Sequence, residues 1–185
     1  MGRVYKLFFS PRGRITRIAF IVGVVGILAF YLTQKWIFLH LGSYLGTGMF
    51  TDFFLPMLLF FITLHMILCI YGKRLHDMGK NLWPLTGVVF LSLSVLFFLG
   101  LHYGMLEYFE TIHGFMNDPK LQDDPITLQN AIKPVEEVYQ NNLRNNMKTI
   151  SALASILPVL FTAWLALWPG EKNDNIYGAS PTGET

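Results

Sequence analysis

Four stretches of this chain contain no Asp, Glu, Lys or Arg: Ile18–Gln34, Phe53–Tyr71, Leu82–Tyr103 and Thr149–Trp168. A helix rises about 1.5 Å per residue, so roughly 20 residues cross the ~30 Å hydrocarbon core of a bilayer. Each run is near that length. The first is the shortest and gains from Trp36–Leu39 beyond Lys35, whose long stem can carry its ammonium to the interface. Helices buried in a water-soluble protein seldom run so far without charge. Only 14% of the residues are charged, against about 25% in ordinary soluble domains. The chain therefore reads as all-α: an integral membrane four-helix bundle, a single membrane domain over residues 1–185. Spans are expected at about 18–38, 53–71, 82–103 and 149–168, with an external helical insert at about 104–148 between spans three and four.

The first run follows a basic leader, but it is too long for a signal peptide and lacks a small-x-small cleavage site. It reads as a retained span. Trp36, Trp83 and Trp168 sit at span ends, as an aromatic belt requires. The segment Val4–Phe9 sets aromatics beside basic residues and is expected among the headgroups rather than across the core. Pro11 and Gly13 then turn the chain, and Thr16 is placed to cap the first span.

Charge sets the expected orientation. Arg3, Lys6, Arg12, Arg14 and Arg17 precede the first span, Lys73, Arg74 and Lys80 lie between the second and third, and Lys172 follows the fourth. With four crossings these share one face, and the opposite face carries Lys35, Lys120, Lys133, Arg144 and Lys148. The positive-inside rule then puts both termini in the cytoplasm. The insert would be external, and its seven acidic residues against four basic ones suit a segment away from the anionic inner leaflet. Within it Leu106, Phe109, Ile112 and Met116 recur at helical spacing, as do Val135, Tyr139, Leu143 and Met147. Asn117-Asp118-Pro119 and Asp124-Pro125 read as turns, and Pro134 suits a helix's first turn. A helical hairpin is expected, its second arm running into the fourth span: a solvated cap, or a contact surface for a protein partner.

The densest polar cluster is Gly72-Lys73-Arg74-Leu75-His76-Asp77-Met78-Gly79-Lys80-Asn81, where two glycines suggest a sharply turned backbone. Asp77, ringed by cations, is expected to pair with Arg74, Lys73 or an arginine of the N-terminal segment, locking two cytoplasmic segments together. Three motifs appear in order around the spans: Phe-Phe-Ser-x-x-Gly-Arg-Ile-x-Arg at Phe8–Arg17, Arg-Leu-His-Asp-x-Gly at Arg74–Gly79, and Pro-Gly-x-x-x-x-Asn-x-Tyr-Gly at Pro169–Gly178. In these the chain resembles the bacterial inner-membrane family known as domain of unknown function 805. The resemblance implies a small four-helix inner-membrane protein and no established activity. The chain departs from the family at Lys80–Pro84, where Arg-Ser-Gly-Trp-Trp is common, at Ile21 in place of an aromatic, at Asp174 and Ile176 in the tail, and in its long insert.

By topology all three motifs share the cytoplasmic face, so Arg12, Arg14, Arg17, Lys73, Arg74, His76, Asp77, Asn173, Asn175 and Tyr177 are brought toward one another. Cations near glycine-turned backbone suit a phosphate or lipid headgroup. The simpler use of the same residues is to tie helix ends together. Other chemistries fare worse. Adjacent on a helix, His76 and Asp77 point roughly 100° apart. His65 and Cys69 share a face but are too few for structural zinc, and a single cysteine excludes a disulfide framework. The glycines around Lys80 do not have the spacing of a nucleotide-phosphate loop. Polar span residues such as Gln34, Thr63, Ser92 and Thr162 are ordinary helix-packing material.

The expected function is a non-enzymatic scaffold or binding protein whose basic cytoplasmic face takes anionic lipid, a small anion or a protein. The second reading is a small transporter or exporter, alone or as a homo-oligomer, with Pro158 and His65 near its pathway. The third is a phospholipid-headgroup enzyme with His76 as acid or base. No catalytic residue, cofactor, metal site or nucleic-acid partner is expected. The bilayer is the first partner.

Overall fold

A computed structural model describes residues 2–45, 53–118, 121 and 125–181. Among them regular structure is helical: α1 (Gly2–Phe9), α2 (Arg17–Leu45), α3 (Leu55–Asp77), α4 (Trp83–Gly100), a π-helical turn at Leu101–Met105, α5 (Leu106–Met116) and α6 (Pro125–Leu167). Four stretches are long and apolar enough to cross a membrane: Arg17–Phe38, Leu55–Asp77, Trp83–Met116 and Pro125–Leu167. Their surfaces show what solvent they need. Phe90, Phe98, Leu160 and Leu167 are each more than 60% exposed, and water-soluble monomers rarely leave such contiguous apolar surface uncovered. This is a multi-pass membrane protein.

Local chemistry marks the helix ends. Thr16 caps α2 as its spacing predicts, its hydroxyl accepting the Ala19 N–H at 3.2 Å. Pro56 stands in the first turn of α3, where its missing N–H costs no ladder bond. α3 closes in a Schellman turn, with Lys80 N–H bonded to the Leu75 carbonyl at 2.9 Å and Gly79 N–H to that of His76 at 3.1 Å. Gly79 takes φ +68° there, a conformation that costs other residues a Cβ clash. Gly72, expected to turn the chain, instead lies buried within α3 with the Leu82 side chain packed on it. The polar cluster down to Asp77 is helical, because the Schellman turn at Gly79 ends the helix later than Gly72. Pro134 likewise falls inside α6, which begins nine residues earlier at Pro125. Of the expected turns, Pro119 and Asp124 lie outside the described residues.

The chain divides into two compact units, residues 1–86 with 161–185, and residues 87–160. In the first, Phe20, Cys69, Ile70, Leu75 and Leu165 have no exposed surface and form the core. Small residues let its helices approach: a Cβ at Gly23 would stand 2.8 Å from the Ile70 side chain, and one at Gly26 would stand 2.6 Å from Phe8. Polar span residues tie helices pairwise, Gln34 Nε2 donating to Thr63 Oγ1 at 3.2 Å and the Tyr71 and Thr162 hydroxyls meeting at 2.8 Å. In the second unit, Gly104 at φ +103° bends the chain between α4 and α5. The Asn142 side chain of α6 donates to the Tyr103 carbonyl at this bend, at 2.9 Å.

Candidate functional site

The last turns of α3 carry two adjacent cations, and each closes the end of a different helix. A helix leaves its last four carbonyls without intrahelical partners and concentrates negative potential there. Lys73 points one way and donates its ammonium to the Lys6 carbonyl, at 2.6 Å, and to that of Leu7, both in the last turn of α1. Arg74, turned about 100° further round α3, donates Nε to the Leu165 carbonyl at 2.8 Å and a terminal nitrogen to that of Trp168. It therefore closes α6. Its other terminal nitrogen holds Asp77 one turn on.

Asp77 is the hub. One carboxylate oxygen takes Arg74 and the other takes Arg14 at 3.3 Å. Its backbone carbonyl accepts the Glu171 N–H at 2.7 Å. Gly170 lies so close to the carboxylate that a Cβ there would overlap it. Arg14 completes the junction by donating to the carbonyls of Asn173 at 2.7 Å, Gly178 at 3.3 Å and Glu171. One guanidinium thus gathers the C-terminal tail. Lys73, Arg74 and Asp77 are 3%, 0% and 3% exposed. Charges this deep persist only with partners, and here each has them.

The tail folds back on His76. Asn175 Nδ2 donates to the His76 carbonyl at 2.9 Å and to Glu171 Oε2 at 2.7 Å. A tight turn, Asn175 paired with Gly178, presents the Tyr177 ring parallel to the imidazole at 4.0 Å between centroids. Nδ1 of His76 is buried without a hydrogen-bond partner among the described residues.

Of the ten residues singled out from the sequence, Arg14, Arg74, His76, Asp77, Asn173, Asn175 and Tyr177 meet in this junction, and Lys73 serves α1 beside it. Arg12 and Arg17 are exposed. The expected pairing of Asp77 with Arg74 and an N-terminal arginine is present; Lys73 is engaged elsewhere. Glu171 and Gly170 also take part, without a charge pattern in the sequence that marks them. Backbone carbonyls provide seven of the acceptors for Lys73, Arg74 and Arg14, and those carry no side-chain signature. Alongside lies a cleft of about 490 Å³ that reaches from Thr16 and Arg17 to Pro169 and Lys172, with Arg74 and Asp77 in its wall. His65, weighed for transport, contacts the Phe9 carbonyl at 3.2 Å and Cys69 Sγ at 3.4 Å.

A family model described as Protein of unknown function (DUF805) matches residues 8–179. No curated protein and no solved structure matches the chain.

Proposed function

The chain belongs to the DUF805 family, and from that premise we propose that it is a non-enzymatic scaffold of the bacterial inner membrane, with both termini cytoplasmic, whose basic face holds anionic lipid headgroups. One observation carries this reading: the charges of the junction fall into two populations. Arg14, Lys73, Arg74 and Asp77 are buried and committed to one another and to helix-end carbonyls. Lys6, Arg12, Arg17, Lys80 and Lys172 are exposed and enter no ion pair among the described residues. The first population holds the protein together, and the second is free to meet phosphates.

The cleft favours Arg17 and Lys172 as the headgroup contacts, since both line it beside the capped start of α2. Each basic residue near an anionic leaflet contributes roughly 1 kcal/mol, screened by salt. The test is thermal stability of the detergent-purified protein with phosphatidylglycerol, cardiolipin, phosphatidylcholine and inorganic phosphate. Anionic lipids should raise the melting temperature, less so in high salt, and the rise should shrink in the double variant Arg17→Ala/Lys172→Ala while Lys133→Ala leaves it unchanged. An undiminished rise in the double variant, or a rise with phosphatidylcholine that shrinks as much in it, would remove the reading. Orientation has its own check, because a C-terminal fluorescent-protein fusion should glow and a phosphatase fusion should be inactive.

A further inference from the structure

The second unit holds a pocket that the junction and its lipid contacts do not involve. It lies where α4 gives way to α5, against the polar half of α6, and has a volume of about 350 Å³. Ligand sites begin at roughly that size. Gly104 makes it: at φ +103° the backbone bends, so that Tyr103 stands before the bend and Glu107 and Tyr108 one turn after it. Asn142, bonded to the Tyr103 carbonyl, fixes α6 across the opening, and Tyr139 lays its ring on that of Tyr108 at 4.9 Å between centroids.

The lining is of one electrical kind. Tyr103, Tyr108, Tyr139 and Glu107 line the space, and among the described residues no Lys, Arg or His does. Aromatic faces carry negative quadrupole potential, and a carboxylate beside them adds a full charge. Glu107 has no ion pair or side-chain hydrogen bond among the described residues. An anion would be repelled there. A bare divalent metal would find one carboxylate where it needs six or more oxygens. An alkylated ammonium fits both features, because its charge is spread over carbon, is cheaply dehydrated and is attracted by ring faces and carboxylate together.

We propose that this pocket binds an organic ammonium group, with Tyr103, Tyr108 and Tyr139 as the aromatic wall and Glu107 as the counter-charge. The ammonium has two sources, a small solute in water or the headgroup of a zwitterionic phospholipid, since the pocket follows directly on the apolar run of α4. The proposal is independent of anionic lipid at the junction.

The experiment titrates choline into the full chain, held in phosphatidylglycerol nanodiscs, and follows melting temperature. Saturable stabilisation is expected. Its apparent Kd should rise roughly fivefold or more in Tyr139→Leu and in Glu107→Gln, and Tyr139→Phe should restore it. Glu107 is exposed, so Glu107→Gln gives a decision even if Tyr139→Leu fails to fold. The uncharged isostere 3,3-dimethylbutanol should be without effect, and equal stabilisation by it would overturn the proposal. Replacing a third of the lipid with phosphatidylcholine separates the sources: a headgroup ligand pre-stabilises the protein and removes the choline response, whereas a solute site still responds to choline. No saturable response to choline and no shift with phosphatidylcholine would overturn the assignment, as would a Kd unmoved by Glu107→Gln.

Discussion

The junction at the end of α3 and the pocket beside Gly104 are both polar sites on an otherwise apolar chain, and they treat charge in opposite ways. In the junction, Arg14, Arg74 and Asp77 are enclosed and every charge meets a partner. Beside Gly104, Glu107 is exposed and enters no ion pair among the described residues, and Tyr103, Tyr108 and Tyr139 line a pocket. Buried and saturated polar groups organise a fold, whereas unsaturated ones are left to interact with something else. A motif of conspicuous charges is therefore not by itself a binding site; what matters is which charges remain free once the chain has folded.

That contrast breaks most readily at the hub. Asp77→Ala leaves two guanidiniums buried without their counter-ion, and losing one partner of a buried pair costs about 3–5 kcal/mol. The variant should accumulate poorly and melt far below the parent in detergent, with Arg74→Ala similar. Parent-like melting would show the junction to be dispensable. Next in size is Gly170→Val, whose side chain has no room beside the Asp77 carboxylate; crowding of this kind costs about 1–3 kcal/mol, and a lowered melting temperature reports it.

Asn175→Ala should cost about 1 kcal/mol, because it removes three hydrogen bonds at a partly exposed site. It should also speed proteolysis of the tail while the spans stay intact. Smallest is Lys80→Ala. Its side chain is exposed and outside the junction, so the change should stay within about 0.5 kcal/mol. A loss as large as that of Asp77→Ala would erase the distinction between buried and free cations.

Much of this was legible beforehand for particular reasons. Thr16 announces its helix because an N-cap is a local bond between neighbours. The pairing of Asp77 with Arg74 is visible at three residues' separation on one helix face. Lys73 was harder, because its partners are carbonyls of α1, 66 and 67 residues away in sequence. Gly72 misled, since a buried glycine that admits Leu82 looks in sequence like one that turns the chain. The aromatic pocket has no sequence signature, because Tyr103, Tyr108 and Tyr139 form no motif and meet only through a bend and a long helix.

Sequence alone determined that this protein lives in a membrane, because excluding charge from four runs of about 20 residues is a one-dimensional property matched to the bilayer. It also determined which residues have to be reconciled somewhere, since a charged group beside an apolar span needs a partner or water. Only the tertiary structure decided which partners they take. Hydrogen bonds to backbone carbonyls depend on where distant helices end, and no residue type at 165 or 168 marks those carbonyls as the acceptors for Arg74.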